Sequence, residues 1–256
     1  MEKLLHNLKK NRFLFEQLVH RDFTQKYKRS ILGMGWSVLS PLLTLLIMKI
    51  IFTEFFAKDI PHYTIYLFSG NIILSYYKEA TKNGMNSLVD NAKIFTKINV
   101  PKYMFLLSKN VSALVNFGLT LIVYFMFCII DGITFHPRML LLVYPVLCLM
   151  LFNIGVGLVL SAMFVFFRDA RYLYDVFLTL ITYLSAVFYS VDKFSFKRMF
   201  LCNPVYVYIK YFRTIVIDGK IPSLSYHLLC AFYAVIFIII GAIVYKKHNH
   251  SFLYYL

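Results

Sequence analysis

Six apolar stretches, each near the roughly 20 residues that a bilayer core requires, alternate with short polar gaps along the chain. They run Trp36–Phe56, Tyr63–Thr81, Leu107–Ile130, Met139–Phe167, Leu173–Tyr189 and His227–Tyr245, the fourth long enough to require tilt. The fold class they predict is an all-α integral membrane protein with six transmembrane helices, because only closed hydrogen bonding within a segment survives in lipid. Ahead of them, Leu4, Leu5, Leu8, Phe15, Leu18, Val19 and Phe23 share one face at about 100° per residue. Lys9, Lys10, His20 and Arg21 point away from it, which predicts an N-terminal amphipathic helix lying in the membrane interface. Between the fifth and sixth stretches, Val205–Ile217 is too short to span and too apolar for solvent, so it predicts short re-entrant helices. The chain thus divides into an interface helix and turn over residues 1–35 and a transmembrane domain over 36–256.

Composition agrees: 60% of the residues are hydrophobic and only 15% charged, too few to cover a soluble domain of this length. The net charge of +15 would suit nucleic acid in a soluble protein, but the basic residues sit in the gaps between apolar runs and so suit an anionic membrane surface. Lys3, Lys9, Lys10, Arg12, Arg21, Lys26, Lys28 and Arg29 precede the first helix. Lys82, Lys93, Lys97 and Lys102 fill the second gap, and Arg168 and Arg171 the fourth, whereas the first and third offer only Lys58 and Arg138. Both termini are therefore expected in the cytoplasm. The gap after the fifth helix breaks the rule, with Lys193, Lys197, Arg198, Lys210, Arg213 and Lys220 on the outer side. Cys128, Cys148, Cys202 and Cys230 form no close pair and read as small hydrophobes.

Three constellations stand out. The only tryptophan, Trp36, follows a basic cluster and the run Ser30-Ile31-Leu32-Gly33, a tight turn at an inner membrane surface or a plain juxtamembrane linker. In the second gap, Ser87 and Asp90 read as a capping-box start for a short helix through Phe95, with Pro101 opening the next helix; periodicity alone serves an ordinary connector equally. In the last gap, Lys210 and Arg213 lie three apart after Asn203-Pro204, placed to meet lipid phosphate or a leaving anionic polymer, or else to anchor an interfacial helix. Lys49 and Glu54 are charged groups within the first helix. Asp22, Asp90, Asp169 and Asp175 form no recognisable cluster, and no phosphate-binding loop occurs, so ATP hydrolysis is not expected of this chain.

The segment from Arg21 through Trp36 to Pro41 resembles the entry segment of the ABC-2 exporter permeases, above all the branch that moves lipid-linked polysaccharides and teichoic acids, and the likeness extends from Leu4 to Phe252. The resemblance implies a substrate entrance at Arg21, Lys26, Tyr27, Lys28, Arg29, Ser30, Leu32, Gly33 and Trp36. It implies an ATPase-coupling helix at Ser87, Leu88, Val89, Asp90, Asn91, Ala92, Lys93, Ile94, Phe95 and Lys97, and an outer gate at Asn203, Pro204, Tyr206, Tyr208, Lys210, Tyr211 and Arg213. It further implies a homodimer paired with two ATP-binding subunits in a bacterial cytoplasmic membrane. The substrate would be a lipid-linked polymer (O-antigen, capsule or teichoic acid); ATP and magnesium would belong to the partner, with no cofactor, metal or catalytic residue here. Lys49 departs from the family's apolar pattern. Three other readings remain open at this point: an ABC-2 exporter of a smaller lipid or drug, an intramembrane enzyme acting on lipid-linked sugars, and a purely structural partner.

Overall fold

The computed structural model describes residues 11–28, 30–56, 60–95, 97, 100–191 and 196–255, the side chains of 27, 53–56, 95 and 253 excepted. Among the described residues every regular element is helical. The N-terminal half carries α1 (Arg12–Tyr27), a 3-10 turn (Gly33–Gly35), α2 (Trp36–Phe56), α3 (Tyr63–Asp90), α4 (Ala92–Phe95) and α5 (Tyr103–Ile130). The C-terminal half carries a 3-10 turn (Pro137–Leu142), α6 (Val143–Phe166), α7 (Ala170–Leu184), a 3-10 turn (Lys197–Cys202), α8 (Pro204–Val216), α9 (Leu224–His248) and α10 (Phe252–Tyr255). Four helical stretches are long and apolar enough to cross a membrane: Gly33–Phe52, Tyr103–Ile130, Pro137–Phe166 and Leu224–His248. Of the other two stretches read from the sequence, α3 has the length but also carries Asn71, Lys78, Glu79 and Lys82. Helix α7 has 15 residues, about 22 Å at the usual helical rise, short of a full hydrocarbon core.

Helices buried in lipid gain little from hiding apolar area, so close packing must hold them together. Glycines make it possible here. A Cβ on Gly155 of α6 would collide with the backbone of Phe237 in α9, and one on Gly241 would fall 2.5 Å from the Gly155 carbonyl oxygen. Gly84 of α3 meets Gly157 of α6, where a Cβ would lie 3.2 Å from the Gly157 Cα. Helix α6 thus runs along α9 on one side and α3 on another, and α3 packs in turn on α5. Rings fill the spaces between: Tyr77 stacks on Phe152, Tyr76 on Phe117, and Tyr124 meets both Phe68 and Phe212 edge-on.

Several boundaries differ from the sequence expectation. Helix α3 does not stop at Thr81 but continues to Asp90, so Ser87 lies inside it, fully buried, its hydroxyl donating to the Gly84 carbonyl rather than capping a new helix. The short helix that follows is only Ala92–Phe95. Helix α5 starts at Tyr103 rather than Leu107, and residues 137–142 form a 3-10 turn before α6. Helix α7 runs earlier than Leu173–Tyr189 and ends at Leu184. In α1 Leu18 of the expected stripe is buried and Phe15, Val19 and Phe23 are half-buried, while Asp22, outside the stripe, is buried as well; residues 2–10 lie outside the described residues. Ion pairs to Asp22 add to the apolar periodicity in setting that face.

Where α7 meets α8, the end of α7 is held by one cation. Asn203 caps α8, its Oδ1 accepting from the Val205 and Tyr206 amides, with Pro204 at the first helical position. One turn from the end of α8, Arg213 is 4% exposed and points into the protein. Its Nη1 donates to Ala186 O at 2.9 Å, its Nη2 to Tyr66 O and Val187 O at 3.0 Å each, and its Nε to Ser69 Oγ at 3.2 Å. The guanidinium lies over the Tyr66 ring at 3.3 Å. Ala186, with φ +49°, turns the chain sharply just past α7, and a Cβ on Gly70 would fall 2.7 Å from Arg213 Nη2. The expected pairing of Lys210 with Arg213 toward lipid or polymer is therefore wrong for Arg213: the carbonyls freed where α7 stops claim its donors first.

Two substitutions test this architecture. Gly155→Ala should lower the thermal midpoint of the purified protein, in keeping with the about 1–3 kcal/mol cost of overpacking. Gly118→Ala, where nothing stands within 4 Å of the new Cβ, should leave it unchanged. Arg213→Met strands up to four acceptors, at about 1–3 kcal/mol for each that stays dry, and should sharply reduce membrane abundance and midpoint. Arg213→Lys, with fewer donors in the wrong shape, should recover only part of the loss.

Candidate functional site: the α1 end of the bundle

Polar side chains concentrate where α1 meets α3 and α5. Asp22 is nearly sealed, its side chain 1% exposed, and a lone carboxylate there would be costly. It is compensated on each side: Arg21 donates to Oδ1 at 2.7 Å, Lys109 stands 3.4 Å from the same oxygen, and Ser108 donates to Oδ2 at 2.8 Å. Arg21 also donates to Asn91 Oδ1 at 2.8 Å, and Asn91 Nδ2 donates to the Ser87 carbonyl. Lys109 reaches Asp90 at 4.0 Å. These contacts tie the interface helix α1 to the turn between α3 and α4 and to the first turns of α5. Asp22 and Asp90, expected to stand apart, therefore share a lysine; among the described residues, no three His, Cys, Asp or Glu converge as a metal site.

The entrance residues follow. Lys26 leaves α1 and forms an ion pair with Glu79 of α3 at 2.8 Å, and the other Glu79 oxygen accepts from Asn116 Nδ2 of α5 at 2.8 Å. Gly33, with φ +51°, makes the tight turn that the sequence suggested; its amide donates to Ser30 O and the Gly35 amide to Leu32 O. Ile31 and Leu32 are exposed, and Lys28 is exposed beside them. Arg29 and the side chain of Tyr27 lie outside the described residues. Beyond the turn, a cleft of about 400 Å³ opens between α2, α3 and α5, lined in part by Lys26, Ser30, Trp36, Asn71, Glu79 and Asn116. A second, more open hollow of about 810 Å³ shares Lys26 and Glu79 and continues to Asp22, Asp90 and Asn91.

Of the coupling residues, Ser87, Leu88 and Asn91 are buried, Val89, Ala92 and Ile94 half-buried, and Asp90, Lys93 and Lys97 exposed; the Phe95 side chain lies outside the described residues. Lys102 at the start of α5 donates to the Asn249 carbonyl at 2.8 Å beneath the Phe252 ring, and burial lowers its pKa from the usual lysine value. That contact brings the C-terminal segment to the same end of the bundle. Of the outer residues, Tyr208 donates to the Cys230 carbonyl and Tyr211 pairs with His227 at 2.8 Å, so both tie α8 to α9. Tyr206 is buried and Lys210 half-buried. Lys49 is exposed on α2, and the Glu54 side chain lies outside the described residues. Arg168 packs over the Phe164 ring.

Sequence reasoning named Asp22 only as an isolated acid and missed Lys109, Glu79, Asn116 and Asn71. Glu79 and Lys78 carried a usable signal, being charged residues inside a continuous helical stretch. Asn116 and Asn71 gave only an amide in an apolar helix.

The sequence model of the ABC-2 type transporter family matches residues 14–217. The chain is 26% identical over 247 residues to the O-antigen export system permease protein RfbA of Klebsiella pneumoniae, covering 94% of this chain and 95% of that protein. It is 24% identical over 260 residues to the protein of the same name from Myxococcus xanthus, covering 98% of each. With the all-helical bundle and its four membrane-length apolar stretches, the match over most of its length means that this chain belongs to the ABC-2 type transporter family.

Proposed function

We propose that this chain is the membrane-spanning permease subunit of an ATP-driven exporter that moves a lipid-linked polysaccharide across a bacterial cytoplasmic membrane. The observation that carries the reading is its end-to-end similarity to O-antigen export permeases. The chain has no phosphate-binding loop, so ATP and magnesium belong to a separate ATP-binding partner, two copies serving a homodimer of this subunit. In this reading α2, α3, α5, α6, α7 and α9 cross the bilayer with both termini in the cytoplasm, and α8 is the re-entrant helix of the outer side. Two features support that arrangement: the lysines and arginines crowd the gap after α3, and α8 is enclosed by protein, as short helices at membrane depth must be.

The α3–α4 turn is the surface offered to the ATPase. Lys93 and Lys97 are exposed there, while Asn91 behind them is bonded to Arg21. A push on this turn is delivered through Arg21 and Asp22 to α1, and through α1 to the Ser30–Gly35 turn at the entrance. Polymer export would then be gated from the ATPase side without any catalytic group in this chain.

The direct test is export by the permease and its ATPase in proteoliposomes, where ATP should drive a polyprenyl-linked polysaccharide to the far side; a system that hydrolyses ATP and moves no such polymer would sink the reading. Orientation is checked on a cysteine-free background. A cysteine placed at position 134 should react with an impermeant reagent added outside, and cysteines at 93 and 249 should not. Lys93→Glu with Lys97→Glu should cut export about tenfold or more at normal permease abundance, because both side chains are exposed and neither supports the fold. Wild-type export in that double variant would remove the coupling role from this turn.

A further inference from the structure

The cleft between α2, α3 and α5 has a lining unlike that of an ordinary lipid-facing groove. Among its residues are Ser37, Ser40, Thr44, Ser75 and Thr120, together with Asn71, Asn116 and Glu79. Some of these groups are committed: Ser37 donates to Met34 O, Thr44 to Ser40 O, and Thr120 to Asn116 O. Asn71 is different. It is 9% exposed, it lines the cleft, and its amide has no hydrogen-bond partner among the described residues. An amide with no protein partner that opens onto the cleft is available to a polar guest. Tyr76 and Phe117, stacked at 4.8 Å, add an aromatic wall to the same cleft. At about 400 Å³ its volume lies within the about 300–1,000 Å³ of small-molecule sites.

The charges choose between two kinds of guest. Among the described residues Lys26 is the only cation lining the cleft, and Glu79 already neutralises it at 2.8 Å. A phosphate entering would have to take Lys26 from Glu79 and then sit beside the abandoned carboxylate, which repels it at close range. A hydroxylated neutral ring meets no such conflict. Its hydroxyls donate to the Glu79 carboxylate, they pair with the Asn71 and Asn116 amides, and an apolar ring face lies against the aromatic wall.

We propose that this cleft binds a neutral sugar ring of the exported polymer, with Glu79, Asn116 and Asn71 as its polar contacts and Trp36 at its edge. The proposal rests on the exporter reading above and deepens it. It assigns to this permease a neutral glycan in preference to a polyol-phosphate chain, and it places recognition within one protomer, on membrane helices beyond the entrance turn.

Trp36 is the only tryptophan of the chain and lines the cleft, so its emission reports occupancy directly. The permease in lipid nanodiscs is titrated with methyl glycosides of glucose, galactose, mannose and rhamnose, and with the matching hexose 6-phosphates. At least one neutral glycoside should give a saturable change in Trp36 emission, and its phosphate counterpart should bind about tenfold more weakly or worse. Glu79→Gln should weaken glycoside binding about tenfold. Asn71→Ala should also weaken it, and since Asn71 makes no side-chain hydrogen bond among the described residues, the thermal midpoint of that variant should stay at the wild-type value. No saturable response to any glycoside, equal binding of the phosphates, or wild-type affinity in both variants overturns the proposal. Proteoliposome export with the ATPase is measured on the same preparations. Export without any glycoside response would reject the sugar site and leave the exporter reading intact. Glycoside binding without export would reject that reading and keep the site.

Discussion

A cation buried among carbonyl oxygens governs the half of this protein where α7 meets α8. Arg213 has no carboxylate opposite it among the described residues; its charge is met by the Tyr66, Ala186 and Val187 carbonyls, the Ser69 hydroxyl and the face of Tyr66. Two of those carbonyls belong to the chain just past α7, where the helix has ended short of a full crossing. Backbone groups released at membrane depth need partners inside the protein, and a guanidinium carries five donors in a rigid plane. Arg213 therefore allows α7 to be short, Ala186 to turn, and α8 to lie buried instead of crossing. Gly70 belongs to the same arrangement, since a Cβ there would occupy the space of the guanidinium. An arginine that the charge rule assigns to the wrong side of the membrane becomes intelligible once it acts as an internal staple.

The half around α1 uses a different device. There the buried group is an anion, Asp22, compensated by Arg21 and Lys109, and each cation reaches onward, to Asn91 and to Asp90. Burying such a network is a doubtful way to gain stability, but it is a good way to fix geometry, because each member has one position in which all its hydrogen bonds are made. The geometry fixed is the angle between α1 and the α3–α4 turn. That junction joins the segment proposed to touch the ATPase to the segment that opens on the cleft.

The legible parts of the sequence were those where one face of a helix meets lipid or where a turn has its own chemistry. The apolar stretches gave helices in every case, Gly33 gave a left-handed turn, and Asn203-Pro204 gave a capped helix start. Small residues in an apolar helix are the ordinary mark of close helix contact, and Gly155 and Gly157 do meet Phe237 and Gly84. What failed were inferences that required knowing a partner. Ser87 looks like a cap until α3 is seen to run through it. Arg21 looks solvent-facing until Asn91 arrives from 70 positions away. Lys26 reads as one more surface charge until Glu79 stands beside it. Local periodicity cannot report a polar contact between distant helices, and in a membrane protein those contacts decide which polar face turns inward.

The distribution of packing then separates a fixed part from a pliable one. Half of the membrane-length stretch ending in α6 is buried, against 11% of the stretch that forms most of α2. Helix α6 is locked to α9 and α3 through glycine contacts that leave no room for a side chain, so these helices move together if they move at all. Helix α2 presents Leu43, Leu46, Ile47, Ile50 and Ile51 outward, and α7 does the same with Leu173, Val176, Phe177 and Leu180. The inner end of α2 is tethered by the entrance turn and the Lys26–Glu79 pair, and α7 is pinned at its ends, by Lys82 to Asp175 and by Arg213 beyond its last turn. Helices held at their ends and free along their flanks can tilt without breaking the core. The cleft lies between α2 and the packed helices α3 and α5. A tilt of α2 would widen it, and the Lys26–Glu79 pair, partly exposed and so inexpensive to break, sits where such an opening must begin.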